Sequence, residues 1–341
     1  MSNMMVVDTA SSHTAARFAA LDPRAALRRA WAANRSLTFL GLAMLLTLLV
    51  SLIGIVVDPR VITGAPAWLK PTKFAISIAI YSFTLLWLLT FVQGHPRLVR
   101  LVGVATAISF VVEMVVVVLQ VVRGTTSHFN VGTPLDEMLW STMGSFVIVI
   151  WLMNLLAATL LLKQRLPDPA LAWALRLGLL LTLVGAASGF LMTRPTPRQL
   201  DALQADQPVS SIGAHSVGVE DGGPGLPVTG WSTTGGDLRV AHFVGLHALQ
   251  ALPLVGWLLT LRRARRLGRG QRIALVWIAG IAYLGLMLLL IWQALRGQPL
   301  VAPDATTLAA LGGLAGATAL AVAGVLTLNR RQYQVSESAG A

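Results

Sequence analysis

The feature that most constrains this chain is a repetition of long apolar blocks separated by short polar segments. A helix needs roughly 20 mostly apolar residues to cross a hydrocarbon core about 30 Å thick. Eight blocks of suitable length cover residues 37–57, 73–93, 101–122, 140–162, 175–193, 241–261, 273–294 and 307–327. The pattern predicts an all-α polytopic bundle of about eight transmembrane helices.

The composition agrees with a membrane environment. Of 341 residues, 55% are apolar and 12% are charged, whereas soluble domains carry about 25% charged residues. The predicted partner is therefore the lipid bilayer. The absence of cysteine excludes disulfides, thiolate metal sites and thiol catalysis. The net charge of +12 lies in short loops, as topology determinants do, which argues against nucleic acid as a partner.

The distribution of lysine and arginine predicts the orientation. Eighteen of the 26 basic residues fall in segments on the side of the N-terminus, and the densest run spans residues 262–266. Cytoplasmic loops carry such an excess. Both termini are therefore predicted to be cytoplasmic, with the protein in a bacterial-type inner membrane. Nine of the 14 acidic residues fall on the opposite, outer side.

The segments outside the spans differ in character. Residues 1–36 are predicted to be a cytoplasmic tail, within which residues 15–35 form either a basic amphipathic helix on the inner leaflet or a solvated basic flank. Residues 37–328 form the transmembrane domain, and residues 329–341 a second cytoplasmic tail. Two outer loops, 123–139 and 194–240, are too long to be simple connectors.

Each long outer loop carries its own prediction. Thr133, Pro134 and Asp136 have the spacing of a helix start, so the fourth helix is expected to begin near residue 134. Loop 194–240 is rich in glycine, proline and serine, and loops of this length are either functional lids or disordered. The sequence leaves those two possibilities open.

Polar side chains inside membrane spans are costly and therefore informative. They occur in the outer parts of the second, third and sixth spans, which predicts a shared cavity that opens outward beneath the two long loops. A buried carboxyl favours its protonated form, so Glu113 is a candidate proton carrier, or else a neutral acid that bonds a neighbouring helix. The residues predicted to line the cavity are Lys73, Ser77, Tyr81, Thr84, Glu113, Gln120, Asp237 and Gln250.

Three histidines on the outer side raise the possibility of a metal or haem site. Imidazoles with a carboxylate suit zinc, copper or iron, and a pair of imidazoles suits haem. His242 and His247 are about 140° apart on an ideal helix, so they could share an ion with His128 only if the helix were distorted. Asp237 could orient His242. The alternative is that these histidines make ordinary helix or loop contacts. His215, in the long loop, is predicted to be exposed and uninvolved.

Three functions follow from these residues. The first is a redox or metal-handling protein with His128, His242 and His247 as ligands and Glu113 as ligand or proton relay. The second is a small-solute transporter coupled to protons through Glu113, and the third is a non-catalytic scaffold. Phosphate-binding, dinucleotide-binding and zinc-protease motifs are absent, which argues against a self-contained nucleotide enzyme. Whether the protein is an enzyme, and its oligomeric state, are not predicted.

Two segments, 237–250 and 127–130, resemble parts of uncharacterised bacterial multi-pass membrane proteins. That resemblance implies a polytopic fold and no particular activity. Eight spans with histidines near the outer surface are also similar to haem A synthase. That family places histidine ligands on several helices, whereas only His247 lies clearly within a span here, so none of its ligand assignments is carried over.

Overall fold

The structure, a computed structural model, describes residues 22–261 and 264–338. It confirms the all-α prediction. The helices are α1 (Pro23–Ala33), α2 (Arg35–Val57), α3 (Leu69–Leu89), α4 (Pro96–Val122), α5 (Pro134–Leu162), α6 (Pro169–Ser188), α7 (Pro197–Gln204), α8 (Leu238–Leu246), α9 (Ala248–Leu258), α10 (Arg269–Leu295) and α11 (Ala305–Ser338). Two short antiparallel pairs complete it: β1 (Val61–Ile62) with β2 (Ala65–Pro66), and β3 (Ser216–Val217) with β4 (Gly236–Asp237).

Seven helices of the described chain are long and apolar enough to cross a membrane, and the pair α8–α9 makes an eighth span if it is counted as one. Several helices begin before their apolar block, because a proline occupies the first helical position, where no hydrogen-bond donor is needed. Thus α4 begins at Pro96 and α6 at Pro169. The sixth predicted span, residues 241–261, is divided into α8 and α9, which meet at His247 with a bend of 43°.

Neighbouring helices stabilise the bend. The hydroxyl of Thr182 on α6 donates to the carbonyl of Leu246 at 3.3 Å, and the hydroxyl of Tyr283 on α10 donates to the carbonyl of Val244 at 2.5 Å. A break within a membrane span is tolerated only where such groups satisfy the freed backbone. The bend is therefore part of the packing between α6, α8–α9 and α10.

The helices pack in two groups. In the first, α2, α3 and α4 surround an apolar core that includes Leu40, Ala75 and Met114, and α5 packs on α4. In the second, α6 lies against α8, α9 and α10, while α11 packs on α10. Leu175 and Leu249 lie in a cluster shared with α3 and α5, which joins the two groups.

The start of α5 confirms the predicted helix boundary and reassigns one predicted cavity residue. Thr133 caps the helix, accepting from the backbone N–H of Asp136 at 3.2 Å. The buried carboxylate of Asp136 also accepts from Gln120 at 2.8 Å and from Arg123 at 2.5 Å. Gln120 was expected to line a cavity. Instead, this network occupies its side chain and fastens the start of α5 to the end of α4.

The loops at one end of the bundle fold into a single layer, here called the cap (residues 58–68, 123–133 and 189–237). Within it, Val131 donates to the carbonyl of Ser210 at 3.0 Å, and Ile212 donates to the carbonyl of Phe129 at 2.9 Å. Loop 194–240 contains α7, β3 and β4. The sequence left open whether this loop is a functional lid or disordered. In the structure it is ordered.

Candidate functional site

A buried carboxyl without a hydrogen bond lies beneath the cap. Glu113 on α4 is 3% exposed, and its Oε1 has no hydrogen-bond partner among the described residues. The charge that acts on it is that of Lys70, at the start of α3. Lys70 was not among the predicted site residues. Its position three residues before Lys73, on the same helix face, was the pattern that could have identified it.

Lys70 connects Glu113 to the first of the cap histidines. Its ammonium lies 3.1 Å from Nδ1 of His128, which is also 3.1 Å from the hydroxyl of Ser127. A charged ammonium has only donors, so Nδ1 of His128 accepts and Nε2 carries the proton. Burial, together with the nearby charge of Lys70, lowers the pKa of His128 well below its usual value. The imidazole is therefore neutral near pH 7.

Aromatic rings enclose this histidine. Phe74 and Trp140 lie 5.7 Å and 5.4 Å from the His128 ring. Phe129 lies 4.9 Å from the ring of His215 and adopts a left-handed backbone conformation, φ +62°. Such a conformation costs about 1–3 kcal/mol in a residue other than glycine and persists only where the surroundings impose it. The cap therefore holds Phe129 between the two histidines.

His215 is an interior residue of the cap, and the expectation that it would be exposed and uninvolved was wrong. Its Nδ1 lies 2.7 Å from Asp221, which also accepts from the backbone N–H groups of His215 and Ser216. Burial lowers the pKa of His215, although Asp221 acts in the opposite direction. Burial disfavours the charged carboxylate of Asp221, but the hydrogen bonds outweigh this and hold its pKa well below the usual range. The pair is therefore a neutral imidazole oriented by a carboxylate.

His242 on α8 is oriented by a backbone carbonyl. Its Nδ1 lies 2.9 Å from the carbonyl oxygen of Gly185 on α6, so Nδ1 must donate. The prediction that Asp237 orients His242 was wrong. Asp237 is buried, caps α8, and accepts from Arg239 at 2.6 Å and from the N–H of Ser232 at 2.8 Å. It joins the cap to α8.

The predicted polar row on α3 divides among different neighbours. Lys73 donates to the carbonyl of Thr229 in the cap at 2.9 Å. Ser77 is half-buried below it. Tyr81 donates to Asn154 on α5 at 2.8 Å. Of this row, only Lys73 belongs to the region around Lys70 and Glu113.

The lower end of the row meets His247 instead. Gln250 donates to the hydroxyl of Thr84 at 3.2 Å and lies 3.3 Å from Nδ1 of His247. Thr84 is about 21 Å along α3 from Lys70, at about 1.5 Å per residue. His247 is exposed and lies at the bend between α8 and α9, so the expectation that it would be buried in the shared cavity was wrong.

The histidines do not assemble into the predicted three-ligand metal site. Across residues 22–261 and 264–338, no group of three or more histidine, aspartate or glutamate side chains is arranged to hold a metal ion. His215 and His242 each have Nδ1 on an oxygen acceptor and an Nε2 without a hydrogen-bond partner among the described residues. That is the orientation of metal-ligating histidines, but it provides two donors only.

The charge of the groups beneath the cap depends on the protonation of Glu113. Asp237 is paired with Arg239, whereas Asp221 is an ionised carboxylate beside a neutral His215. With both lysines protonated, Lys70, Lys73, Asp221 and Glu113 sum to no net charge with Glu113 ionised and to one positive charge with it protonated. We call the whole group the cap cluster; it comprises Lys70, Lys73, Glu113, His128, His215, Asp221 and His242.

No family model, curated protein or solved structure matches this chain. Its function must therefore be argued from the cap cluster and the helices that hold it. The groups in the cluster that can exchange a proton are Glu113 and the neutral imidazoles, and the groups that can attract an anion are the two lysines.

Proposed function

We propose that this protein is a proton-coupled transporter for a small anionic solute, which binds at the cap cluster. The observation that carries the proposal is Glu113: a buried carboxyl, inside a membrane span, with an unpartnered oxygen and a lysine as its electrostatic neighbour. Ionisable groups within spans are costly, and they commonly mark ion or proton pathways.

The charges of the cluster would couple the proton to the anion. With Glu113 ionised, its negative charge and that of Asp221 offset the two lysines. Protonation of Glu113 leaves one net positive charge, which attracts an anion to Lys70 and Lys73. By thermodynamic linkage, an anion bound there raises the affinity of Glu113 for a proton by the same factor. Binding of the two together favours their transport in the same direction.

The surrounding fold offers the parts that such transport needs. The cap covers the cluster, and Thr229 holds Lys73 from above. Beside it lies the broken pair α8–α9, and discontinuous spans commonly flank the binding sites of secondary transporters. Opening of the cap would expose the cluster on one side, and a change in the 43° bend would alter its contacts on the other.

Uptake by proteoliposomes tests this proposal, because one proton carried with one negative charge moves no net charge and gives no current. The full chain is reconstituted, and an inward pH gradient is imposed with radiolabelled succinate or inorganic phosphate as the probe. We expect at least one anion to show pH-dependent uptake that Glu113→Gln abolishes and Lys70→Gln weakens. Glu137→Gln, at an exposed acid, is the matched control and should retain the uptake. Absence of gradient-driven uptake of both probes, or unchanged uptake in Glu113→Gln, would refute the proposal.

We also propose the predicted orientation in a bacterial-type inner membrane, with the cap outside. The chain has no cysteine, so single cysteines can report topology without background. Ala205→Cys in the cap should react with a membrane-impermeant maleimide in intact cells. His95→Cys, exposed at the opposite end, should react only after the membrane is permeabilised. The reverse labelling pattern would overturn the orientation.

Metal handling is a second candidate, favoured by the orientation of His215 and His242. Their free Nε2 atoms would be the ligands, and zinc, copper or haem iron the candidates. Elemental analysis and an absorbance spectrum of the purified protein test it. About one equivalent of metal, lost in His215→Ala and His242→Ala, would support it; a colourless, metal-free preparation that does not take up added zinc or copper would end it.

A further inference from the structure

At the end opposite the cap, the short helix α1 is fixed at a corner with the first membrane span. Asn34 separates the two helices: its backbone N–H donates to Ala30 at 2.9 Å, and its side chain accepts from Leu37 at 3.1 Å. Gly103 on α4 makes room for that side chain, since a Cβ there would lie 2.4 Å from the amide nitrogen of Asn34. The angle between α1 and α2 is therefore set by packing.

This corner creates a groove between α1 and the exposed face of α2. The groove has a volume of about 780 Å³, within the range typical of ligand sites. Leu27 and Trp31, each 42% exposed, form its apolar wall with Leu42. Arg24, Arg28 and Arg35 provide its charged rim. An apolar wall beneath a cationic rim matches an amphiphile with a negative head.

The arginines of the rim have little negative charge of their own to pair with. Arg28 lies 3.8 Å from Asp22 across an exposed gap, and the guanidinium groups of Arg24 and Arg35 have no acidic partner among the described residues. Arg24 also lies in the first turn of α1, where the helix dipole disfavours a cation and favours an anion. A bound anion would pair with these guanidinium groups and would offset the unfavourable interaction of Arg24 with the helix dipole.

We propose that this groove binds an anionic phospholipid. Its phosphate would lie between the three guanidinium groups, which match phosphate oxygens with paired donors. Its acyl chain would follow Leu42 down the surface of α2, where exposed apolar side chains continue at Leu45 and Leu49. The site would thus anchor α1 to one leaflet and keep the adjoining span at a fixed depth.

Other occupants fit the groove less well. Residues 1–21 contain one acid, Asp8, and one arginine, Arg17, so that segment cannot neutralise three guanidinium groups. A second copy of the chain would bring the same arginines to the same place. A free phosphate would satisfy the rim but leave Leu27, Trp31 and Leu42 uncovered.

Lipid titration followed by native mass spectrometry tests the assignment. The full-length protein in mild detergent is titrated with phosphatidylglycerol, with phosphatidylcholine of the same acyl chains, and with inorganic phosphate. Each guanidinium near an anionic headgroup contributes about fivefold, so Arg24→Gln/Arg28→Gln/Arg35→Gln should bind phosphatidylglycerol about 100-fold more weakly. The matched control changes three other arginines at the same end of the bundle: Arg29→Gln/Arg97→Gln/Arg100→Gln.

The outcomes separate the possible occupants. Loss of phosphatidylglycerol binding in the groove variant alone, with phosphatidylcholine unaffected, supports the proposal. An equal loss in the control variant would show a bulk charge effect and overturn it. Inorganic phosphate that competes at similar concentration would show a soluble-anion site. Phosphatidylglycerol binding that appears only after deletion of residues 2–21, or a dimer mass that the groove variant abolishes, would assign the groove to the tail or to a second copy.

Discussion

The sharpest test of the structure compares two glycine pairs that look alike in the sequence. Gly185 on α6 and Gly189 immediately after its end have the same four-residue spacing as Gly312 and Gly316 on α11, and this spacing predicts close helix packing in membranes. The structure gives them different surroundings. A Cβ on Gly185 would lie 2.4 Å from the backbone of Gly245 on α8, whereas a Cβ on Gly312 or Gly316 would have no neighbour within 4 Å among the described residues.

The cost of Gly185→Ala can be worked out from these distances. Ordinary contact begins at 3.4 Å, so α6 and α8 must separate by roughly 1 Å, and overpacking of this kind costs about 1–3 kcal/mol. The 2.9 Å hydrogen bond from His242 to the Gly185 carbonyl would lengthen beyond hydrogen-bond range, a further loss of about 1 kcal/mol. Alanine regains up to about 1 kcal/mol of helix propensity. The net expectation is a loss of about 1–3 kcal/mol.

Unfolding measurements in detergent check this value. Gly185→Ala should lower the free energy of unfolding by about 1–3 kcal/mol, while the matched variant Gly316→Ala should leave it unchanged or raise it slightly. Tryptophan fluorescence can follow the transition, because the chain has ten tryptophans. If Gly185→Ala were as stable as the wild type, or if Gly316→Ala were the more damaged, the assigned packing of α6 against α8 would be wrong.

Three further predictions concern other contacts. Asp136→Asn should cost about 1–3 kcal/mol of unfolding free energy, because it turns one acceptor of a buried network into a donor. Glu137→Gln, at the exposed next residue, should leave the unfolding free energy unchanged. Equal effects of the two variants would contradict the network. Tyr283→Phe should cost about 1 kcal/mol through its lost bond to the carbonyl at the bend, measured by the same unfolding assay. His128 and His215 have pKa values below 6.5 in the fold, so the unfolded chain binds more protons. Their contribution to stability is present above about pH 6.5 and is lost as the pH falls below it. Melting temperatures between pH 7.5 and 5.5 should therefore fall in the wild type, and less steeply in His215→Asn.

The sequence predicted the spans and the start of α5 because those features depend on local properties. Apolar length identifies a span whatever its neighbours are, and a proline at the first helical position beside a capping threonine predicts the start at Pro134. The spacing of Lys70 to Lys73 indicates a shared helix face, but the sequence alone assigns Lys70 no partner. At the border of a span a lysine has the pattern of a topology determinant, and only the fold shows that His128 in the cap comes within 3.1 Å of it.

The predictions for His247 and His215 were wrong because each depends on local backbone geometry that the sequence does not show. The angle between His242 and His247 was calculated for an ideal helix, and a 43° bend at His247 invalidates any face calculated across it. His215 was judged by its position in a loop rich in glycine, yet Gly213 allows the chain to pass so close to Phe129 that an added Cβ would lie 2.7 Å from its ring. At this position the glycine permits close packing. The high glycine content of the loop had instead been taken as consistent with disorder.

The two proposed sites lie at opposite ends of the bundle, and contact between α2 and α3 could couple them. An anionic lipid at Arg24, Arg28 and Arg35 would set the depth of α2, and α2 packs directly on α3, which carries Lys70 and Lys73. If α2 and α3 move as one unit, loss of the lipid should shift the membrane depth of the lysines and so weaken anion uptake without altering its dependence on Glu113. If α3 moves separately from α2, the groove variant should lose its lipid and keep full uptake. Measuring both quantities on the same protein therefore distinguishes a rigid first group of helices from a mobile one.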